Sequence, residues 1–340
     1  MSNSYLSFEQ IKIIRKRTAT YIAMMSSQSD AKRVFLWIVP RTCSTAFSKF
    51  MTFVDDTEVW MEPYYASYLN ETYYNPNFRV GDPHAERMRE TLARIEASDF
   101  MKGIRETMKN DVKENANVID QKEISYSWVK QQLEKPTPKK IIFIKDQALA
   151  ITDHLSYLPD VTCRHSFIIR HPAQAYTSFK EMIRNRLDPV GMDWEECHVG
   201  NDTPFSPVKD FYKIQHKLWQ HLLETSEVEP VIIDADDLLT KPEVILPKYF
   251  EKLGIPFKES YLQWEGSDDF IRQKWKGSSD FVLLEPKTIV YSRAVKSTGF
   301  EPPQIPRGTS KPEWKVTPEL KEYIEGAVPF YEEMYQNRLK

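Results

Sequence analysis

Short apolar runs alternate with amphipathic stretches along the first three-quarters of the chain. Residues 34–39 are all apolar and rich in β-branched and aromatic side chains, which predicts a strand buried on both faces. The run stops at Pro40, passes through a polar loop at 40–45 and enters an amphipathic segment at 46–51 that reads as a helix. The same alternation predicts strands at 58–61, 141–144, 166–169 and 231–234, with a short extra strand at Val118 and Ile119. Helices are expected after the 141–144 strand through His154 and Leu158, and from Pro172 to about 186. Two more are expected over about 207–224 and over 242–253, the last closed by Gly254. Residues 70–116 are polar with helical periodicity around 88–95 and 100–108, a helical insertion able to cover a cleft. Strands alternating with helices predict an α/β fold: three layers, a parallel sheet with helices on both faces. The expected organisation is a helical arm at 1–33, lying on the body or on the partner in a homodimer, an α/β domain at 34–300, and an extension at 301–340 ending in a helix from about 318.

Composition narrows the function. The 340 residues are 41% hydrophobic and 13% aromatic, ample for a large core. A net charge of −3 gives no global basic field, so nucleic acid is not an expected partner and any anion site must be local. Cys43, Cys163 and Cys197 form no CxxC pair, which suits a reducing compartment. No apolar run approaches the ~18–20 residues that span a bilayer. The N-terminus, with Glu9, Lys12, Arg15, Lys16 and Arg17, lacks the pattern of a signal peptide. A soluble, cytoplasmic protein without a membrane partner is expected. No metal is expected either: there is no HExxH, and Cys197–His198 has no partners at ligand spacing.

A buried strand, a polar loop and a helix N-terminus make an anion cradle, to which Arg41, Thr42, Cys43, Ser44 and Thr45 add a guanidinium, hydroxyls and backbone donors. The common triphosphate loop is excluded, since its glycines and lysine are missing. In parallel sheets ligands bind beyond the C-terminal strand ends, where the charged residues are Arg41, Glu62, Lys145 and Arg170.

The loop Pro40-Arg41-Thr42-Cys43-Ser44-Thr45 resembles the 5′-phosphosulfate loop of sulfotransferases. Arg170-His171-Pro172, with Ser178 eight residues after the arginine, resembles the 3′-phosphate site of the same family. Residues 232–242 and 249–256 are similar to a recurrent structural segment there. The resemblance implies a P-loop NTPase-like sulfotransferase fold and the co-substrate 3′-phosphoadenosine-5′-phosphosulfate, with no metal. It implies a sulfuryl transfer to a hydroxyl or amine of a small-molecule acceptor. Arg41 would act on the leaving 5′-phosphate and Lys145 on the transferred group, with Arg170 and Ser178 on the 3′-phosphate. A closing loop would be supplied by Arg293, Lys296, Ser297, Thr298 and Gly299, with residues 273–277 as its rival. One departure concerns the base. Position 147 is Gln where the cytosolic enzymes carry His, leaving Glu62, His154 or Asp146 as candidates, the last also a natural helix cap. Tyr64, Tyr65, Tyr68, Tyr73, Tyr74 and Phe78 either line an acceptor pocket or are ordinary packing. Two other readings stay open, an inactive nucleotide-binding scaffold and a small-molecule kinase.

Overall fold

The computed structural model describes residues 31–187, 195–267, 269–287, 289–302 and 316–340. The expected arm at 1–33 and its dimer role lie outside these, apart from its last three residues.

Seven strands form one sheet: β1 (Lys32–Ile38), β2 (Thr57–Met61), β3 (Val118–Ile119), β4 (Ile141–Gln147), β5 (Cys163–Ile169), β6 (Val231–Asp234) and β7 (Trp275–Ser278). Their order is β3-β7-β2-β4-β1-β5-β6, and every adjacent pair is parallel. The helices used below are α1 (Ser44–Thr52), α2 (Pro63–Glu71), α3 (Pro83–Glu96), α4 (Asp99–Glu114), α5 (Tyr126–Glu134), α6 (Pro172–Leu187), α7 (Phe211–Thr225), α8 (Pro242–Leu253), α9 (Ile289–Lys296) and α10 (Pro318–Gln336). Helices α3 and α4 lie within the polar stretch 70–116.

Both faces of the sheet are covered, as continuous apolar strands require. Val34, Phe35, Leu36 and Trp37 of the central strand are fully buried. On one face Phe47 of α1 packs on Phe143 of β4 at 5.8 Å and on Tyr249 of α8 at 5.4 Å, and α9 lies against α1. On the other, Tyr64 of α2 stacks on Phe35 and on Tyr126 of α5. There α7 also sends the Gln215 amide to the carbonyl of Trp37 at 3.2 Å, and Tyr331 of α10 donates to Asp234 at 2.9 Å. The fold is a three-layer α/β sandwich.

Two elements differ from expectation. The helix after β4 is a single turn, Ala148–Ile151, so His154 is not helical. The His154 N–H bonds the Ile151 carbonyl, three residues back, at 2.7 Å, which tightens and ends the turn in place of a continuing helix. Residues 255–302, where no strand is predicted, contribute β7. That strand includes most of the rival closing loop and is an inner strand. Trp275 is buried with its indole on Thr52 Oγ1 at 2.7 Å, and a Cβ on Gly277 would come within 2.8 Å of the Met61 carbonyl. Lys276 is accommodated by placing its ammonium over the Trp60 ring, 4.5 Å from the centroid, and 3.8 Å from Glu58 Oε1.

The strand order fixes the site. From β1 the chain crosses to β2 on one side, whereas from the adjacent β5 it crosses to β6 on the other. The crevice where neighbouring connections diverge lies between the C-terminal ends of β1 and β5, and in open parallel sheets that crevice receives the ligand.

Candidate active site

At the end of β1 the chain turns through two non-glycine residues in the left-handed region, Arg41 (φ 72°) and Cys43 (φ 61°). Such backbone costs about 1–3 kcal/mol per residue and persists where the surroundings enforce it. The turn lets α1 begin at Ser44 with its N-terminus toward the crevice. The cap residue Cys43 makes no side-chain hydrogen bond to the helix, so the first-turn N–H groups remain available to a ligand. Thr42 is buried and donates its hydroxyl to the Val39 carbonyl at 3.0 Å. It braces the turn, and its hydroxyl proton is not directed at an anion.

Arg170, immediately after β5, donates from Nη1 to the backbone carbonyl of Arg41 at 3.1 Å. Arg41 in turn donates from Nε to Ser178 Oγ, nearly two turns into α6, at 3.1 Å. The two motifs, far apart in sequence, are one constellation. Positive charge is concentrated in it. The Arg41 guanidinium is pushed below its ordinary pKa first by burial and then by the charges of Arg170, Arg186 and Arg293, with Cys43 acting the other way. Arg186 pairs with Glu285, and Arg170 Nε faces Asp236 Oδ1 across 3.8 Å without a hydrogen bond. A bound dianion would relieve this crowding.

Beside the cradle, β2 ends at Met61, which is in register with Lys145 of β4. The Glu62 N–H extends that ladder to the Lys145 carbonyl at 2.7 Å, and Glu62 then adopts a left-handed conformation (φ 50°) as the chain turns into α2. Among the described residues five non-glycine positions have positive φ, and three of them (Arg41, Cys43 and Glu62) lie in these two strand-to-helix turns. The result is a buried cluster. Lys145 Nζ pairs with Glu62 Oε1, and Gln147 Nε2 donates to Glu62 Oε2 at 2.7 Å. Asp146 points to the opposite face and accepts from the N–H groups of Tyr64, Tyr65 and Gln147. It is a helix cap for α2, and its oxygens are engaged.

His154 lies elsewhere. Its ring stacks on Tyr126 at 4.3 Å, and its Nε2 is 4.0 Å from the carboxylate of Glu71. Glu71 ends α2 and Glu62 precedes it, so a nine-residue helix, roughly 13 Å long, separates the two carboxylates. Tyr65 and Tyr291 face Glu62. Burial first and the Glu62 charge second raise both phenols above their ordinary value, so they act as donors and not as bases. Among the candidate bases, Glu62 alone sits with Lys145.

The closing segment is placed in part beside the cradle. Lys49 of α1 is buried and donates to the carbonyls of Val295 at 2.5 Å and Ser297 at 2.8 Å, tying the segment to the same helix that opens the anion loop. Arg293 is close enough to act on the charge of Arg41. The Ser297 hydroxyl caps its own helix by donating to the Ala294 carbonyl at 2.7 Å. Thr298 accepts at its carbonyl from Trp264, and Gly299 rests against Leu262. Lys296 and Thr298 are exposed. Sequence reasoning missed Arg186 and the role of Gln147. The second was within reach, because residues two apart on a strand share a face and Gln147 therefore points where Lys145 points.

Among the described residues no group of three or more His, Cys, Asp or Glu is placed to hold a metal, and no helix is long and apolar enough to cross a membrane. All three cysteines are free.

No protein-family model matches the chain. Over 232 residues, 68% of its length, it is 28% identical to branched-chain-amino-acid aminotransferase-like protein 2 of Arabidopsis thaliana, and it spans 32% of that protein's length. Two of the solved structures it resembles are sulfotransferase domains. One, from the curacin biosynthetic pathway, has a TM-score of 0.43 and 13% identity over 87% of this chain and 97% of that one. Another, from the Synechococcus PCC 7002 olefin synthase, has a TM-score of 0.38 and 16% identity over 89% of this chain and 95% of that one. Likenesses this low add nothing to the fold, which rests on the strand order and registers above.

Proposed function

We propose that this chain is a sulfotransferase that moves the sulfuryl group of 3′-phosphoadenosine-5′-phosphosulfate to a hydroxyl or amine of a small-molecule acceptor. One observation carries the reading: Arg170 bonds the backbone of Arg41 while Arg41 bonds Ser178. Residues expected at the two phosphate ends of one nucleotide thereby meet at the crevice of the sheet. The residues fit a doubly phosphorylated ligand, with an uncapped helix N-terminus at Ser44 and a guanidinium cluster around Arg41.

In the reaction, the acceptor oxygen or nitrogen attacks sulfur in line. The bond from sulfur to the 5′-phosphate oxygen breaks, its electron pair stays on the phosphate, and the acceptor proton passes to Glu62. Arg41 and the first-turn N–H groups of α1 stabilise the leaving phosphate, and Lys145 stabilises charge on the moving group. Sulfuryl transfer shares with phosphoryl transfer a reliance on positioning and charge stabilisation. The direct test adds the donor with a panel of alcohols, phenols and amines and measures release of adenosine 3′,5′-bisphosphate. Release that depends on an acceptor supports the reading, and none with any acceptor class counts against it.

A second reading, a nucleotide-binding scaffold without transfer, has one observation in its favour: both oxygens of Glu62 are already bonded. It predicts bisphosphate binding with no bisphosphate release from the donor.

A further inference from the structure

Glu62 is held from two sides by groups of different character. Lys145 is a charged and exchangeable partner, because an anionic sulfuryl group entering the site competes for the same ammonium. Gln147 is neutral. Its amide is buried, donates to Glu62 Oε2 at 2.7 Å, and is carried on the strand that carries Lys145. The backbone N–H of Gln147 is fixed as well, on Asp146 Oδ1 at 2.9 Å. A glutamine facing a carboxylate must present its NH₂, since the carboxylate only accepts. We infer that Gln147 is a positioning residue for the transfer: it keeps the Glu62 carboxylate ionised and aimed when Lys145 turns to the sulfuryl group.

The inference rests on the sulfotransferase reading and assigns a task to the position where a proton-accepting residue is missing. A glutamate has three side-chain torsions, so without a fixed partner its carboxylate would swing once Lys145 let go. The other titratable groups whose charge acts with that of Glu62 are Tyr65 on α2, Tyr291 on α9 and, turned to the opposite face of the strand, Asp146. Asp146 is an acceptor held by three N–H groups and the Tyr65 hydroxyl is bonded with Ser206, while the donors on the Glu62 oxygens are Lys145 and Gln147.

The test compares wild type with Gln147→Leu, which removes the donor, and Gln147→Glu, which keeps the shape and adds a carboxyl. A hydrogen bond to the ionised form favours ionisation, so its loss means a higher pH is needed to ionise Glu62. The acidic limb of kcat against pH should rise by roughly half a pH unit or more in Gln147→Leu, and further in Gln147→Glu, where two carboxyls share the site. Affinity for adenosine 3′,5′-bisphosphate should stay within about twofold of wild type. Carbon NMR of labelled glutamate carboxyls follows the titration of Glu62 without any turnover, and should move in the same direction. If Gln147→Leu fails to fold, Gln147→Met, which also removes the donor without adding a charge, takes its place. An active wild type whose acidic limb and carboxyl titration are unmoved in both variants overturns the inference. A wild type that binds the bisphosphate but never turns over the donor, with the titration shift intact, overturns the transferase reading instead.

Discussion

Glu62 and Lys145 are buried as an ion pair, so removing the charge of either leaves the other unbalanced in the interior. Glu62→Gln should slow turnover by about 10²–10⁴ through loss of the base. It should also cost on the order of 3–5 kcal/mol in urea unfolding, because Lys145 is left buried without a counter-charge. His154→Ala should leave turnover near wild type, since its ring is stacked on Tyr126 and paired toward Glu71. A different histidine governs acid stability. His165 accepts from the Trp37 indole at 3.1 Å, and burial holds its pKa down at about 4, against 6.5 for the free side chain. A base with a lowered folded value contributes fully above 6.5, and that contribution is lost as pH falls from 6.5 toward 4; it is worth roughly 3 kcal/mol. Asp234 opposes it. Burial above all raises its carboxyl to about 6, a contribution complete below 3.8 and lost as pH rises through 6. His165→Gln keeps an acceptor for Trp37 and removes the titration. The fall in Tm between pH 7 and pH 4.5 should therefore be smaller in the variant, and an equal fall in both proteins would contradict the assignment.

At the scale of elements, α1 has two tasks, opening the anion loop at one end and anchoring the segment after α9 through Lys49. Lys49→Met should leave the carbonyls of Val295 and Ser297 without that donor, at about 1–3 kcal/mol for each. Trypsin should then cut after Arg293 or Lys296 faster than in wild type, and bisphosphate affinity should fall because Arg293 is no longer held near Arg41. Unchanged cleavage would mean that the tie is ornamental. The elements themselves were legible to different degrees. Strands β1, β4, β5 and β6 could be read because a strand covered on both faces is a continuous apolar run. Strand β7 could not: Trp275-Lys276-Gly277-Ser278 has neither alternation nor length, and its place depends on Gly277 fitting against Met61. Nor could the left-handed turns at Arg41 and Glu62, since neither residue type announces positive φ.

On the scale of the whole molecule, the alternation of strands and helices gave the layers, while the strand order had to come from the folded chain. That order sets the crevice between β1 and β5, and with it the meeting of Arg41 and Arg170. The pairing of those two was foreshadowed by the Arg170–Ser178 spacing. The Glu62–Lys145–Gln147 cluster needed the register of β2 on β4, which no local pattern encodes. Arg186 was hidden for a similar reason, since its partner Glu285 lies in a segment without a strong sequence signal. Calorimetric titration with adenosine 3′,5′-bisphosphate asks whether two distant loops grip the two ends of one nucleotide, as proposed. Wild type should bind at a single site and Arg170→Ala should bind more weakly by about 2–4 kcal/mol, the worth of a charge-assisted phosphate contact. No binding to wild type, or equal affinity in the two proteins, would contradict it.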